Sequence, residues 1–318
     1  MLASSRARSC PAKATKWQAD LKMRILLQFP EGLKQYAMQY AEKLEKEGNE
    51  VYVSAEPSFG ACDLAIDEAK KIGAEKLVHF GHAEFKRVDF NVEYVEYPIT
   101  ASLDLLPKSL ELLKPYQKLC ILTTIQHVHQ LRDIKTFYEQ NGKQVFFNKP
   151  NGFAKHEGQI LGCDVGNVAS LDKQVDAFVY FGGGLFHPVG ALMQTTKPFF
   201  VIDPFQGRIE QIDYLRKEEE SKKKARIARA AAARRFGILV STKIGQYNLA
   251  LANILKKKIE SKGMQAVVLL ANTFDFDSLN NMLEIDAFVN TACPRLVTED
   301  QERLRKPLIS PDELMLIL

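Results

Sequence analysis

Apolar residues recur along this chain in two alternating rhythms. Short unbroken apolar runs, MRILLQF (23–29), KLCILTT (118–124) and FGILVST (236–242), have the content of strands buried on both faces. Each is followed by a stretch in which apolar positions return every three or four residues: LKQYAMQYAEKLEKEG, HQLRDIKTFYEQNG and YNLALANILKKKIESKG. That period predicts an amphipathic helix, and the glycine closing each stretch predicts its stop, because glycine takes the left-handed backbone conformation at little cost. A second apolar run follows each helix: EVYVSA (50–55), KQVFFN (143–148) and QAVVLLA (265–271). Then come a loop, a short helix with an acidic residue, and a third run: EKLVHFGH, DAFVYFGGG and DAFVNTACP.

First and second runs are offset by about 25 residues in each segment, and first and third by roughly 50 to 60. Such βαβαβ spacing requires parallel strands with right-handed crossovers. The predicted fold class is therefore α/β: three homologous parallel-sheet βαβαβ units around a pseudo-threefold axis, with a central site. The expected units are 21–113, 114–213 and 236–318. Residues 214–235, rich in alanine, glutamate and lysine, form a basic connecting helix, and 1–20 form a disordered N-terminal extension. That extension has no apolar core of a secretory signal, and no apolar run approaches the roughly 20 residues of a membrane span. The chain thus reads as a soluble, cytoplasmic protein.

In open parallel sheets, ligands gather beyond the carboxyl ends of the strands. Three of the five cysteines fall there. Cys62 lies in PSFGACD, after the second strand of unit one; Cys163 lies in ILGCDVGN, after the second strand of unit two; Cys293 lies in NTACPR, after the third strand of unit three. If the three sheets point these ends inward, the thiols converge. Cys62 and Cys163 share a Gly-(Ala)-Cys-Asp pattern, in which glycine lets the backbone approach a bulky ligand. Cys120 sits inside an apolar strand and reads as an inert core thiol, and Cys10 lies in the extension. A structural zinc takes four ligands in closely spaced pairs, and the chain has no CxxC. Three thiolates would leave one iron of a [4Fe–4S] cluster without a protein ligand, open to a substrate. Isolated cysteines are also commonly structural, so the residues alone leave both readings standing.

Other polar residues crowd the same strand ends. His79 and His82 stand in HFGH, and His187 follows Gly182, Gly183 and Gly184, whose amides could approach a ligand. Lys243 and Gln246 stand in STKIGQ, whose start is expected to open a helix and offer an anion site. Arg295 follows Cys293 and Pro294, and its planar fork suits a carboxylate. His127 and His129 imitate a metal pair, but a two-residue spacing on a helix separates them. The net charge of +4 is mild. The basic segment reads first as a solvated helix and second as a dock for an acidic protein or RNA.

Eight segments, QFPEGL (28–33), PSFGACD (57–63), HFGH (79–82), GCDVGN (162–167), FGGGLFHP (181–188), STKIGQ (241–246), NTACPRL (290–296) and KPLISPDE (306–313), run in order from about residue 22 to the end. Together they resemble the archaeal-type diphthamide synthases, the 2-(3-amino-3-carboxypropyl)histidine synthases. The resemblance implies a radical enzyme without the CxxxCxxC loop of ordinary radical S-adenosylmethionine enzymes. It places a [4Fe–4S] cluster on Cys62, Cys163 and Cys293, with S-adenosyl-L-methionine at the open iron. It implies cleavage to a 3-amino-3-carboxypropyl radical that adds to C2 of a histidine of elongation factor 2, with release of methylthioadenosine. Arg295, Gln246, Lys243, His187 and Gly183 become the expected cosubstrate contacts. A homodimer and an unidentified electron donor are implied as partners, with no membrane and no DNA. Two other readings remain: a quinolinate-synthase-like cluster enzyme acting as a Lewis acid, and a non-enzymatic RNA- or protein-binding module using the basic helix.

Overall fold

The computed structural model describes residues 23–318 apart from Asn151, Asn167 and Glu299, so the N-terminal extension and Cys10 lie outside the described residues. The apolar runs become three sheets. The first contains β1 (Arg24–Gln28), β2 (Glu50–Val53), β3 (Lys76–Phe80) and β4 (Val92–Val95). The second contains β5 (Lys118–Thr123), β6 (Gln144–Phe147), β7 (Ala177–Phe181), β8 (Phe199–Asp203) and β9 (Arg208–Gln211). The third contains β10 (Arg235–Ser241), β11 (Gln265–Ala271), β12 (Ala287–Asn290) and β13 (Leu308–Ile309).

Strand order is the same in all three: β2-β1-β3-β4, β6-β5-β7-β8-β9 and β11-β10-β12-β13. The first strand of each unit lies between the second and the third, with parallel pairing on both sides. A strand in that position is covered on both faces by crossover helices, and β1, β5 and β10 are buried along all but their first residue. The expected α/β architecture of three parallel-sheet units is thus realised. Each sheet gains a fourth strand that the sequence pattern did not announce. Sheet two adds β9, antiparallel to β8 and entered by the turn that carries Phe205.

The first crossover helices also follow expectation, with local differences. In the first two units the amphipathic segment opens as a 3-10 turn, Glu31–Tyr36 and Ile125–Gln130, before the helices Ala37–Lys46 and Leu131–Gln140. In the third, the helix begins only at Leu249, with the Asn248 side chain accepting from Leu251 N–H at 3.1 Å. STKIGQ therefore lies in a turn before the helix and does not open it. The stops are as predicted: Gly48, Gly142 and Gly263 have φ of 89°, 77° and 74°.

The basic segment forms the helix Tyr214–Ala230, which ends before the connection 231–234. It is tied to the third unit by Arg226, which grips Glu313 at 2.5 Å with both side chains largely buried. Glu313 also completes the capping box of the helix Pro311–Met315, accepting from Ser310 N–H at 3.0 Å. Arg229 donates to the Arg305 carbonyl at 2.6 Å. Part of the positive charge on this helix is therefore spent inside the fold. Among the described residues, no helix is long and apolar enough to cross a membrane. Glu313→Ala is expected to lower unfolding free energy by about 3 kcal/mol, since it strands a buried guanidinium and removes a cap. Urea unfolding checks this, and Glu313→Gln should lose less.

Candidate metal and cosubstrate site

All three sheets turn strand carboxyl ends toward one cavity of about 430 Å³, a size ordinary for small ligands. Cys62, Cys163 and Cys293 all line it, together with His82, His187, Lys243, Gln246 and Arg295. A smaller recess of about 200 Å³, bordered by Tyr247, Asn248 and Pro294, shares the same three cysteines. The two spaces thus have these three cysteines in common on their walls.

Each cysteine loop is shaped by a neighbouring polar residue that occupies backbone groups. In PSFGACD, Asp63 Oδ2 accepts from Phe59 N–H at 3.3 Å, and Asp63 N–H donates to the Gly60 carbonyl at 2.9 Å. In GCDVGN, Asp164 plays the matching part, accepting from the N–H groups of Phe153, Ala154 and Gly166 at 2.5, 3.2 and 3.0 Å. In NTACPR, Asn290 donates to the Cys293 carbonyl at 2.8 Å and accepts from Ala292 N–H at 3.0 Å. The shared Cys-Asp pattern thus serves loop closure. Its glycine serves packing in unit two: a Cβ on Gly162 would stand 1.9 Å from the Phe186 ring. The earlier expectation, that this glycine admits a ligand, gives way to that contact.

The third unit braces the Cys62 loop. Lys243 Nζ lies 2.6 Å from Asp63 Oδ1, with both side chains buried, and 5.4 Å above the Phe59 ring. Gly245 N–H donates to the Cys62 carbonyl at 2.9 Å. A Cβ on Gly245 would meet Cys62 Cα and Cβ at 2.5 Å, so only glycine lets the two loops touch. Gln246 Nε2 donates to Cys62 Sγ at 3.4 Å. Across the cavity, Arg295, in the short helix Arg295–Thr298, lies 5.4 Å over the Phe186 ring of unit two. Phe85 and Phe153, from units one and two, stack at 3.8 Å on its wall.

Burial raises the thiol pKa of all three cysteines. Cys163 is pushed up to about 12, chiefly by burial and then by the neighbouring Cys62 and Cys293. Cys163 still has an exposed surface, because it opens onto the cavity. Burial is likewise the first cause for Cys62, eased by Gln246, and for Cys293, eased by the Arg295 backbone. Burial favours the thiol form of all three, and a cationic metal centre held by them would draw off their protons. Among the described residues, no three His, Cys, Asp or Glu groups are close enough to hold a single metal ion. Zinc bonded at about 2.3 Å to each sulfur needs a tight donor set. Three thiols on one cavity, with Cys120 buried apart from them in a strand, supply three donors and suit a body with several metal corners, one of them left to another ligand.

Of the sequence candidates, Cys62, Cys163, Cys293, Arg295, Gln246, Lys243 and His187 reach the cavity. Gly183 does not. It lies beside Phe205, whose ring would stand 3.1 Å from a Cβ there, and its carbonyl accepts from Tyr180 OH at 3.4 Å. Lys243 lines the wall, but its ammonium faces Asp63 and its turn offers no helix terminus. His127 is buried and bonded to the Ile99 carbonyl at 2.8 Å, while His129 meets Thr100 Oγ1 at 3.1 Å. Cys120 is fully buried, and burial raises its pKa. Sequence reasoning missed the bracing role of Asp63, the Gly245 contact and the aromatic wall. The repeated Cys-Asp pair was the visible signal for the first.

Comparison with known proteins shows the family. Residues 29–318 match the family model described as putative diphthamide synthesis protein. The 2-(3-amino-3-carboxypropyl)histidine synthase of Pyrococcus horikoshii is 33% identical over 302 residues, covering 93% of this chain and 85% of that one. Subunit 1 of the human 2-(3-amino-3-carboxypropyl)histidine synthase is 30% identical over 313 residues, covering 95% and 69%. The crystal structure of Dph2 from Pyrococcus horikoshii with a 4Fe-4S cluster superposes with a TM-score of 0.85 at 32% identity, covering 93% of this chain and 86% of that one. With three converging cysteines at the strand ends of three like units, this chain belongs to the diphthamide synthesis protein family.

Proposed function

We propose that the chain is a transferase that moves the 3-amino-3-carboxypropyl group of S-adenosyl-L-methionine to C2 of a histidine of elongation factor 2. This is the first step of diphthamide formation and leaves methylthioadenosine. The observation that carries the reading is the convergence of Cys62, Cys163 and Cys293 on one cavity that also holds Arg295. Those three cysteines would hold a [4Fe–4S] cluster. When bound, the cluster supplies the electron that splits the sulfur–γ-carbon bond of the cosubstrate. Family membership separates this reading from both the quinolinate-synthase-like enzyme and the simple binding module.

The chain's own residues bind, orient and shield. Arg295 offers two parallel donors to the cosubstrate carboxylate, with its guanidinium steadied on Phe186. Gln246 steadies the Cys62 sulfur. His187 is held neutral, with its pKa lowered to about 4 by burial and then by His82 and Arg295. It thus adds an imidazole wall without charge. The Phe85–Phe153 stack and Phe186 give an apolar lining that keeps water from a reactive carbon. The homodimer, the electron donor and the cytoplasmic location belong to the same proposal.

Protein purified without oxygen should carry iron and sulfide and form methylthioadenosine when given S-adenosylmethionine, dithionite and elongation factor 2, with a matching mass gain on the factor. Absence of both products sinks the reading. Cys62→Ala, Cys163→Ala and Cys293→Ala should each bring iron content and product to background. Arg295→Lys is expected to raise the KM for S-adenosylmethionine about tenfold while iron stays bound. Gly245→Ala should add about 1–3 kcal/mol of overpacking strain at the Cys62 loop. It would show as faster iron loss to a chelator with unchanged far-ultraviolet circular dichroism. Parent-like iron retention would remove Gly245 from the support of that ligand.

A further inference from the structure

Gln28, at the end of β1, His79, near the end of β3, and His82 form one hydrogen-bonded chain that ends at the cavity. Its direction can be read from the buried end. Gln28 Nε2 donates to the Asp63 carbonyl at 2.6 Å, which turns Oε1 toward Ala65 N–H at 3.1 Å and His79 Nδ1 at 2.8 Å. An amide oxygen only accepts, so His79 Nδ1 carries the hydrogen. His79 is fully buried, and burial, with His82 beside it, lowers its pKa to about 3. A neutral ring with hydrogen on Nδ1 has a bare Nε2. That nitrogen lies 2.9 Å from His82 Nδ1, which must therefore donate. Burial also lowers the His82 pKa to about 4, against a smaller opposing pull from the Phe80 backbone, so the ring is neutral and, with its hydrogen on Nδ1, its Nε2 is bare. His82 Nε2 lies toward the Cys62 loop, 4.0 Å from where a Cβ on Gly60 would stand, and His82, Gly60 and Cys62 all border the cavity.

His187 lies within electrostatic reach of both His82 and Arg295. An acceptor and a cation grouped around one neutral imidazole match an α-amino acid, whose ammonium and carboxylate share one carbon. We infer that His82 Nε2 receives the α-ammonium of S-adenosylmethionine while Arg295 takes its carboxylate, which rests on the cosubstrate reading above. Gln28 and His79 are then positioning residues: they set the tautomer that makes His82 an acceptor. A protein imidazole N–H is a poorer match, being an uncharged donor with no carboxylate to engage Arg295.

The test compares holoenzyme with His82→Phe and His82→Gln at equal iron content, without oxygen. Dissociation constants are measured for S-adenosylmethionine and for methylthioadenosine, which lacks the amino acid. His82→Phe should weaken S-adenosylmethionine about tenfold or more, the loss expected for a hydrogen bond to a charged group. His82→Gln, whose amide oxygen restores an acceptor, should stay within about threefold of the parent. Methylthioadenosine should bind all three alike. Unchanged S-adenosylmethionine binding by His82→Phe overturns the inference, and so does an equal loss for methylthioadenosine. A rise confined to the KM for elongation factor 2 overturns it too, because the lone pair then meets the protein substrate. Failure of the parent itself to bind S-adenosylmethionine overturns the cosubstrate reading along with it.

Discussion

Lys243 and Asp63 come from the third and first units and meet at 2.6 Å, screened from water on both sides. A pair this buried recovers its desolvation cost only when the geometry is held and the remaining groups are satisfied. Here Asp63 also accepts from Phe59 N–H, and the Gly245 N–H beside Lys243 closes on the Cys62 carbonyl. Separating the units would leave two unpaired charges in an apolar wall. The pair thus fixes the distance between two loops, and with it where Cys62 sits relative to Cys293. The rest of the cavity is arranged around that fixed edge.

The repeat explains how such a site can be built. Three units with one strand order each present strand ends to a shared centre, where no crossover helix covers them. Each contributes one thiol, but the remaining side chains differ. Unit one brings paired imidazoles, unit two an apolar aromatic wall and His187, and unit three the cations Lys243 and Arg295. An asymmetric substrate can therefore be read inside a nearly threefold frame. The three thiols differ in exposure but share one cavity wall and a pKa raised chiefly by desolvation, which suits one shared metal body better than three separate roles.

Much of this was legible before any coordinates. Strands and helices show their periods, and glycines at helix ends show their stops. The cysteine positions followed from one topological rule about strand ends. Errors arose where a local pattern met a distant partner. The glycine run with Gly183 looks like an amide cradle, yet Phe205, from a turn leading to an added antiparallel strand, lies against it. STKIGQ looks like a helix start, but Lys243 reaches a carboxylate 180 residues away and the segment stays a turn. The glycine before Cys163 looks like room for a ligand, and Phe186 fills that room.

By itself, the sequence determined the three α/β units, their parallel order and the placing of Cys62, Cys163 and Cys293 beyond strand ends and of Cys120 inside a strand. These follow from apolar period, chain length between strands and position within a unit, all of which are local. Only the tertiary structure decided which polar residues face the cavity and in what protonation state. His82 shows why: its place after β3 is written in HFGH, but its bare Nε2 depends on Gln28, 51 residues before His79, and on burial that no local pattern encodes. Hydrogen-bond direction and desolvation are properties of neighbours, and the neighbours exist only after folding.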